Sequence, residues 1–249
     1  MKKLIFIFTF ISLEIHAESI CRVGTFSSPP ALADAKSVHG APANAIIKEA
    51  LFLEGFKTQW IDYNHYQADS DLLNNKMDLA FGALLELPSR TRRKLSFIPL
   101  LSYRYSMISL HKKKKEKKQI IGMLPYHKLV VKKYTQEGQS IIHGTREKLL
   151  TKLISGEIDS MLDIYTNFLF EIKTLKYPKD KFDYLSGNDD INFGGVISAK
   201  NSPCFQAFKR GLHKLTLKYS LSTFSSNNWP KWLPSIFLSK DEIIRHSLN

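Results

Sequence analysis

Cysteine is nearly absent, two residues in 249, far below the density of a disulfide-framework scaffold. Glycine (12) and proline (10) are sparse and follow no fixed period, which excludes a collagen-like chain. No segment approaches the ~20 consecutive apolar residues of a membrane-spanning helix. Catalytic and nucleotide signatures are missing as well: there is no HExxH, no GxSxG, no GxGxxG and no GxxxxGK followed by Ser or Thr. The eight His residues are scattered, with no pair four apart, so neither a zinc site nor a cofactor is expected. Acid is in short supply too: 23 Asp and Glu face 36 Lys and Arg, a net charge of +13. Apolar content is ample. At 43% hydrophobic residues the chain is too rich for intrinsic disorder, and its length is enough for one or two domains that bury roughly 70–75% of the unfolded surface.

The N-terminus reads as an address. Met1-Lys2-Lys3 is a positive start, Leu4 to Leu13 is an uncharged apolar run, and Ala17 offers a small residue at a cleavage point. This is the layout of a secretory signal peptide over 1–17, too short to span a bilayer. Cys21 has Ser19-Ile20 before it, which does not fit a lipoprotein anchor. Export makes chromosomal nucleic acid an unexpected partner despite the positive charge. It also places Cys21 and Cys204 in an oxidising compartment, where the alternatives are one disulfide or two buried thiols.

Beyond residue 18, strands and helices alternate. Ser19–Thr25 reads as a strand that stops at a Ser-Ser-Pro-Pro loop. The segment 42–54 has Pro at its start and Gly55 beyond its end, the punctuation of an amphipathic helix. Strands follow at 58–63 and 77–82 with a helix over 68–75 between them. The pattern repeats with strands at 119–123, 140–143 and 158–163 and helices at 125–135, 146–154 and 164–174; Thr145 is a good N-cap for the second of these. A last helix spans 203–218, with a short one near 240–247. Two long strands, at 103–110 and 191–199, join the two runs. The expectation is an α/β chain of two lobes, each a mostly parallel sheet flanked by helices: 18–110 as the first part of lobe 1, 111–195 as lobe 2, and 196–249 as the return to lobe 1 with a tail. The run from Lys112 to Lys118 has no interleaved aromatics for stacking bases and reads as a solvated loop, an anionic surface being the sharper alternative.

Four stretches carry a resemblance. Asn74 to Leu101 (NNKMDLAFGALLELPSRTRRKLSFIPLL) has a polar turn, a hydrophobic-Asp-hydrophobic strand, Gly, a loop ending in Arg, and a Ser-Phe-Ile-Pro stretch in the place of the pattern's aromatic-Ser/Asp-Pro. Leu150 to Asp163 (LTKLISGEIDSMLD) repeats a matching element in the second run, VGTFSSPPAL supplies a strand and Pro-containing loop, and Trp229–Trp232 a C-terminal end. In this order they are similar to bacterial extracellular solute-binding proteins of family 3. The resemblance implies a periplasmic, type II two-lobed fold that hinges shut on a small polar solute, amino-acid-like or an organic anion, without catalysis. The implied partners are that solute and an ABC-type permease or a membrane sensor, and a monomer is expected.

In open parallel sheets ligands sit beyond the carboxyl ends of the strands. The ligand positions implied here are therefore Phe26 and Ser28 after the first strand, Gly82 and Leu84 after the third, Tyr126 in the second lobe's first loop, and Asp163. By resemblance Arg90 would fork onto a ligand carboxylate, with Arg92 and Arg93 as neighbours able to take its place, and Asp163 would receive an ammonium group. Asp163 has a second reading as the N-cap of 164–174, and Asp78 and Asp159 read as structural. Leu87, and Leu124-Pro125-Tyr126, stand where the family pattern carries Thr and Gly-Thr. Two rivals stay open: a dehydratase on the same scaffold, with Glu86 as its acid, and a basic polyanion-binding protein.

Overall fold

The computed structural model describes residues 19–37, 40–63, 67–83, 89–111, 119–125, 134–135, 137–186 and 191–247. The expected signal peptide, the Lys112–Lys118 run and most of the expected helix over 125–135 lie outside the described residues. Among the described residues, ten strands form two five-stranded sheets. In the first, β2 (Phe56–Asp62), β1 (Ser19–Thr25), β3 (Leu79–Ala83), β10 (Asn192–Ala199) and β4 (Leu95–Tyr103) lie side by side in that order. The second has the order β7 (Ser140–His143), β6 (Ile120–Met123), β8 (Ser160–Ile164), β5 (Tyr105–Leu110) and β9 (Phe182–Ser186). Each sheet is half parallel and half antiparallel: β1 pairs in parallel with β2 and β3, while β10 runs against β3 and β4. The second sheet repeats the scheme, β6 parallel to β7 and β8, β5 against β8 and β9. The expectation of mostly parallel sheets is corrected here, because the strand that crosses between lobes arrives from the opposite direction each time.

The first crossing is short. The expected single strand over 103–110 is two strands, with Arg104 alone between β4 and β5, and the return to the first sheet falls between β9 and β10. The change of sheet therefore falls earlier in the chain than the expected boundaries at 110 and 195. β4 was not legible as a strand because Pro99 sits in its middle. It is tolerated because β4 is the edge of its sheet and Pro99 lies opposite Gly195, where the register with β10 slips. A Cβ on Gly195 would sit 2.1 Å from the Ile98 carbonyl oxygen, so glycine alone fits that approach.

Helix α1 (Pro42–Phe52) buries Ala43, Ile46, Ile47, Ala50 and Leu51, one helical stripe at the 3, 4, 7, 8 spacing. Each of the larger side chains contributes ~1.5–3 kcal/mol when fully buried. α2 (Ala68–Leu73) and α3 (Ser89–Arg92) follow in lobe 1. In lobe 2, α4 (Arg146–Ser155) starts at Thr145, whose hydroxyl accepts from the Lys148 amide, and stops at Gly156 with φ of 82°. α5 (Tyr165–Thr174) follows β8 directly. α6 (Pro203–Lys218) is capped by Ser202 and packs against α1, so close that a Cβ on Gly211 would sit 1.7 Å from the Ala50 carbonyl oxygen. α7 (Leu221–Ser225) and α8 (Lys240–His246) complete the described helices. Cys21 on β1 and Cys204 on α6 are joined in a disulfide, Cα–Cα 5.8 Å.

Asp78 and Asp159 do the same job in the two lobes. The Asp78 amide donates to the Arg22 carbonyl (2.9 Å) and its carboxylate accepts from the Arg22 amide (2.8 Å). Asp159 repeats both bonds with Ile120, at 2.9 and 2.8 Å. Each locks the lead-in of the third strand onto the first, which is the physical content of the repeated hydrophobic-Asp signature. The C-terminal tail lies along β4, with Ser102 N–H donating to Ile236 and Leu238 N–H to Leu100. It reaches over lobe 2, where Trp232 stacks on Phe170 of α5 with ring planes 9° apart.

Candidate functional site

The strand ends of the two sheets face each other across a cavity of about 50 Å³, room for roughly four water-sized groups. Lobe 1 supplies Phe26, Ser28 and Leu32 from the loop after β1, and Phe81, Gly82 and Ala83 from β3. Lobe 2 supplies Ile164, Thr166 and Asn167; Leu101, Tyr103, Gly194 and Ile236 close the hinge side. A second space of about 220 Å³ adjoins it, sharing Tyr103, Thr166 and Ile236 and adding Arg104 and Tyr165.

The first loop is held from below. Thr25 Oγ1 donates to the Ala33 carbonyl at 2.7 Å and accepts from Asn44 Nδ2 at 3.0 Å, while Asn44 Oδ1 accepts from the Ala33 amide at 3.1 Å. Ser28 and Leu32 exchange both backbone bonds, at 3.2 and 3.1 Å, around a cis Pro29-Pro30 peptide. Asn44 and Thr25 are buried, so this network is satisfied in low dielectric and fixes the loop that carries Phe26 and Ser28. Phe26 meets Tyr63 edge-on at 5.7 Å, and the Tyr63 hydroxyl donates to the Phe81 carbonyl. Across the gap, Asn167 Nδ2 donates to Ser28 Oγ at 3.1 Å, a buried bond from α5 to the lobe 1 loop. The lobes are closed onto each other.

Phe26, Ser28 and Gly82 are thus brought together at the cavity. Arg90 is not: it is exposed on the four-residue α3 and does not line the space, and Arg93 beside it is exposed as well. Asp163 is fully buried and faces Arg146 instead of the cavity. The guanidinium forks onto the carboxylate, Nε to Oδ2 at 2.5 Å and Nη2 to Oδ1 at 3.1 Å, and Oδ1 also accepts from the Ile164 amide at 2.7 Å. It does not cap α5, whose N-cap position is Ile164. Leu84, Tyr126, Glu86 and Leu87 lie outside the described residues. Glu171, half-buried on α5, has its carboxyl pushed up from the usual range by burial, with Arg146 opposing and Asp163 and Glu147 reinforcing the shift. Among the described residues no three His, Cys, Asp or Glu side chains gather as a metal site.

Leu32, Phe81, Leu101, Tyr103, Thr166, Asn167 and Ile236 escaped sequence reasoning. For Thr166 and Asn167 a signal exists: they open a helix directly after a buried strand, with no capping residue before them.

No family model and no curated protein sequence matches the chain. Solved structures do. The ligand-binding core of GluR0 from Nostoc punctiforme, in complex with L-glutamate, superposes with TM-score 0.67 at 14% identity, over 84% of this chain and 99% of that one. An ancestral arginine-binding protein bound to arginine gives 0.68 at 16%, over 86% and 100%. A histidine kinase sensor domain with similarity to periplasmic binding proteins gives 0.68 at 11%, over 88% and 99%. The fold is that of a two-lobed periplasmic binding protein. Among the described residues no helix is long and apolar enough to cross a membrane.

Proposed function

We propose that this chain is an exported solute-binding protein that captures a small molecule between its lobes and presents the closed form to a membrane transporter or sensor. The observation that carries this is the interlobe cavity, bridged by the Asn167–Ser28 bond. Two lobes joined at Arg104 and again between β9 and β10 can rotate as bodies, and a solute with contacts to both shifts the population toward closure. Support comes from the neighbours in structure, which include an arginine-binding protein, a ligand-binding core in complex with L-glutamate and a sensor domain. A periplasmic location and a monomer that docks on a permease or receptor belong to the same proposal, as do the lobe assignments. A dehydratase on the same scaffold would need a carboxyl group in the cleft; its candidate, Glu86, lies outside the described residues.

The experiment is small-angle scattering and thermal unfolding of the mature protein over a broad panel of amino acids, polyamines, sugars and organic acids. A solute that raises the midpoint and holds the compact form is expected. Asn167→Ala should expand the unliganded protein by releasing the interlobe bond. A panel in which nothing binds, with identical scattering for Asn167→Ala and the parent, overturns the proposal.

A further inference from the structure

The first turn of α5 lacks what helix starts normally have. Its N-cap residue is Ile164, without a side-chain oxygen, and no acid stands in the turn. The Tyr165 amide is satisfied by the Arg104 carbonyl at 3.1 Å. Thr166, only 6% exposed, lines both parts of the interlobe space, and its Oγ1 is buried with no hydrogen-bond partner. A hydroxyl left unbonded in such a site costs stability unless something else completes it. Arg104, exposed, lines the adjoining one of these spaces, and no acid among the described residues pairs with it. A cation beside the positive end of a helix is repelled unless an anion lies between them. At the other end Phe26, Leu32, Phe81 and Leu101 make an apolar wall. The carboxylate that the resemblance offers to an ammonium group, Asp163, is taken up by Arg146.

Resting on the solute-binding reading above, we infer that the solute is a small monocarboxylate with an apolar body and no ammonium group. Its carboxylate takes the N-terminal turn of α5 with the Thr166 hydroxyl and the Arg104 guanidinium, and its body fills the wall of Phe26, Leu32, Phe81 and Leu101. The charge is read by lobe 2 and the crossing residue, the shape by lobe 1, so only a molecule with both ends holds the lobes together.

Two matched series test this by calorimetry on the mature protein: isovalerate, isovaleramide and valine, and hydrocinnamate, hydrocinnamamide and phenylalanine. Within each series the skeleton is constant while the carboxylate is neutralised or an ammonium is added. The acid of at least one series is expected to bind at least about tenfold more tightly than its amide and its amino acid, the ratio set by a charged hydrogen bond made or lost. Thr166→Val, which keeps shape and removes the hydroxyl, should weaken that acid by about tenfold while leaving the unliganded unfolding midpoint unchanged or higher. Arg104→Gln should weaken it similarly and leave the amide's affinity alone. An amino acid or amide bound as well as its acid overturns the inference and leaves solute binding standing. Failure of all six to bind overturns it too, and the broad panel above then decides whether solute binding falls with it. Undiminished acid binding by a folded Thr166→Val protein also removes the proposed site.

Discussion

Arg146→Met isolates a buried charge. Asp163 has no exposed surface and the Arg146 side chain is 10% exposed, so the pair sits where water gives little compensation. The substitution keeps the apolar stem of Arg146 but leaves the carboxylate with a single donor, the Ile164 amide. Breaking a buried pair by removing one partner costs about 3–5 kcal/mol, a large share of the ~5–15 kcal/mol that holds a typical fold. For a chain of this size each kcal/mol moves the midpoint by ~2–4 °C, so the expected loss is roughly 6–20 °C. The double variant Arg146→Met/Asp163→Leu removes both charges, and apolar replacements of buried pairs are often neutral or stabilising; it should recover most of that loss. The assay is thermal and urea unfolding at neutral pH with the disulfide intact. A single variant costing less than ~1 kcal/mol would mean that the pair is effectively solvated. A double variant as unstable as the single one would show that lost packing, and not the stranded charge, sets the cost. Either result refutes the reasoning.

Gly211→Ala should destabilise the protein by ~1–3 kcal/mol despite the ~1 kcal/mol that alanine normally adds to a helix interior, because its Cβ meets the Ala50 carbonyl oxygen at 1.7 Å; urea titration reads the sign directly. Reducing Cys21–Cys204, which closes a loop of 183 residues in sequence separation, should cost roughly 2–5 kcal/mol, seen as a lower midpoint in the presence of reductant and reproduced by the double serine variant. The pH dependence follows from Asp78: burial pushes its carboxyl up, but the Arg22 side chain and amide bonds and the Arg22 charge outweigh that and hold it below the ordinary 3.8. A carboxylate depressed in the folded state contributes stability that is present above its unfolded value and lost as pH falls through the folded one. Stability should therefore decline below about pH 4, and Asp78→Asn, already weakened at neutral pH, should show a shallower decline over that window.

Helices bounded by Pro, Gly and a hydroxyl cap were legible because their signals are local: α1, α4 and α6 lie within two residues of where the pattern puts them. β4 was hidden by Pro99, whose tolerance depends on sheet order and a bulge with Gly195 that no local pattern contains. The lobe 1 face of the cavity was legible through Phe26, Ser28 and Gly82, since loops at strand ends are the standing place for ligands. On the lobe 2 face the pairing of Asp163 was not legible, because its partner Arg146 is 17 residues away and looks, in sequence, like any basic residue in a first helical turn. Ile236 and Arg104 escaped for a related reason: one belongs to a tail and the other to a crossing, and both reach the space only after the lobes have formed.

The place of β10 in the first sheet has a consequence for how the protein is made. It lies between β3 and β4, so until residues 192–199 arrive, lobe 1 is a three-stranded piece and a lone edge strand with nothing bridging them. All five strands of the second sheet lie between Tyr105 and Ser186. A chain emerging N-terminus first can therefore complete lobe 2 while lobe 1 is still unfinished, and Cys21 must wait for Cys204 to follow. The strand order thus lets the chain assemble from its second lobe inward, with the half that carries the disulfide the last to close.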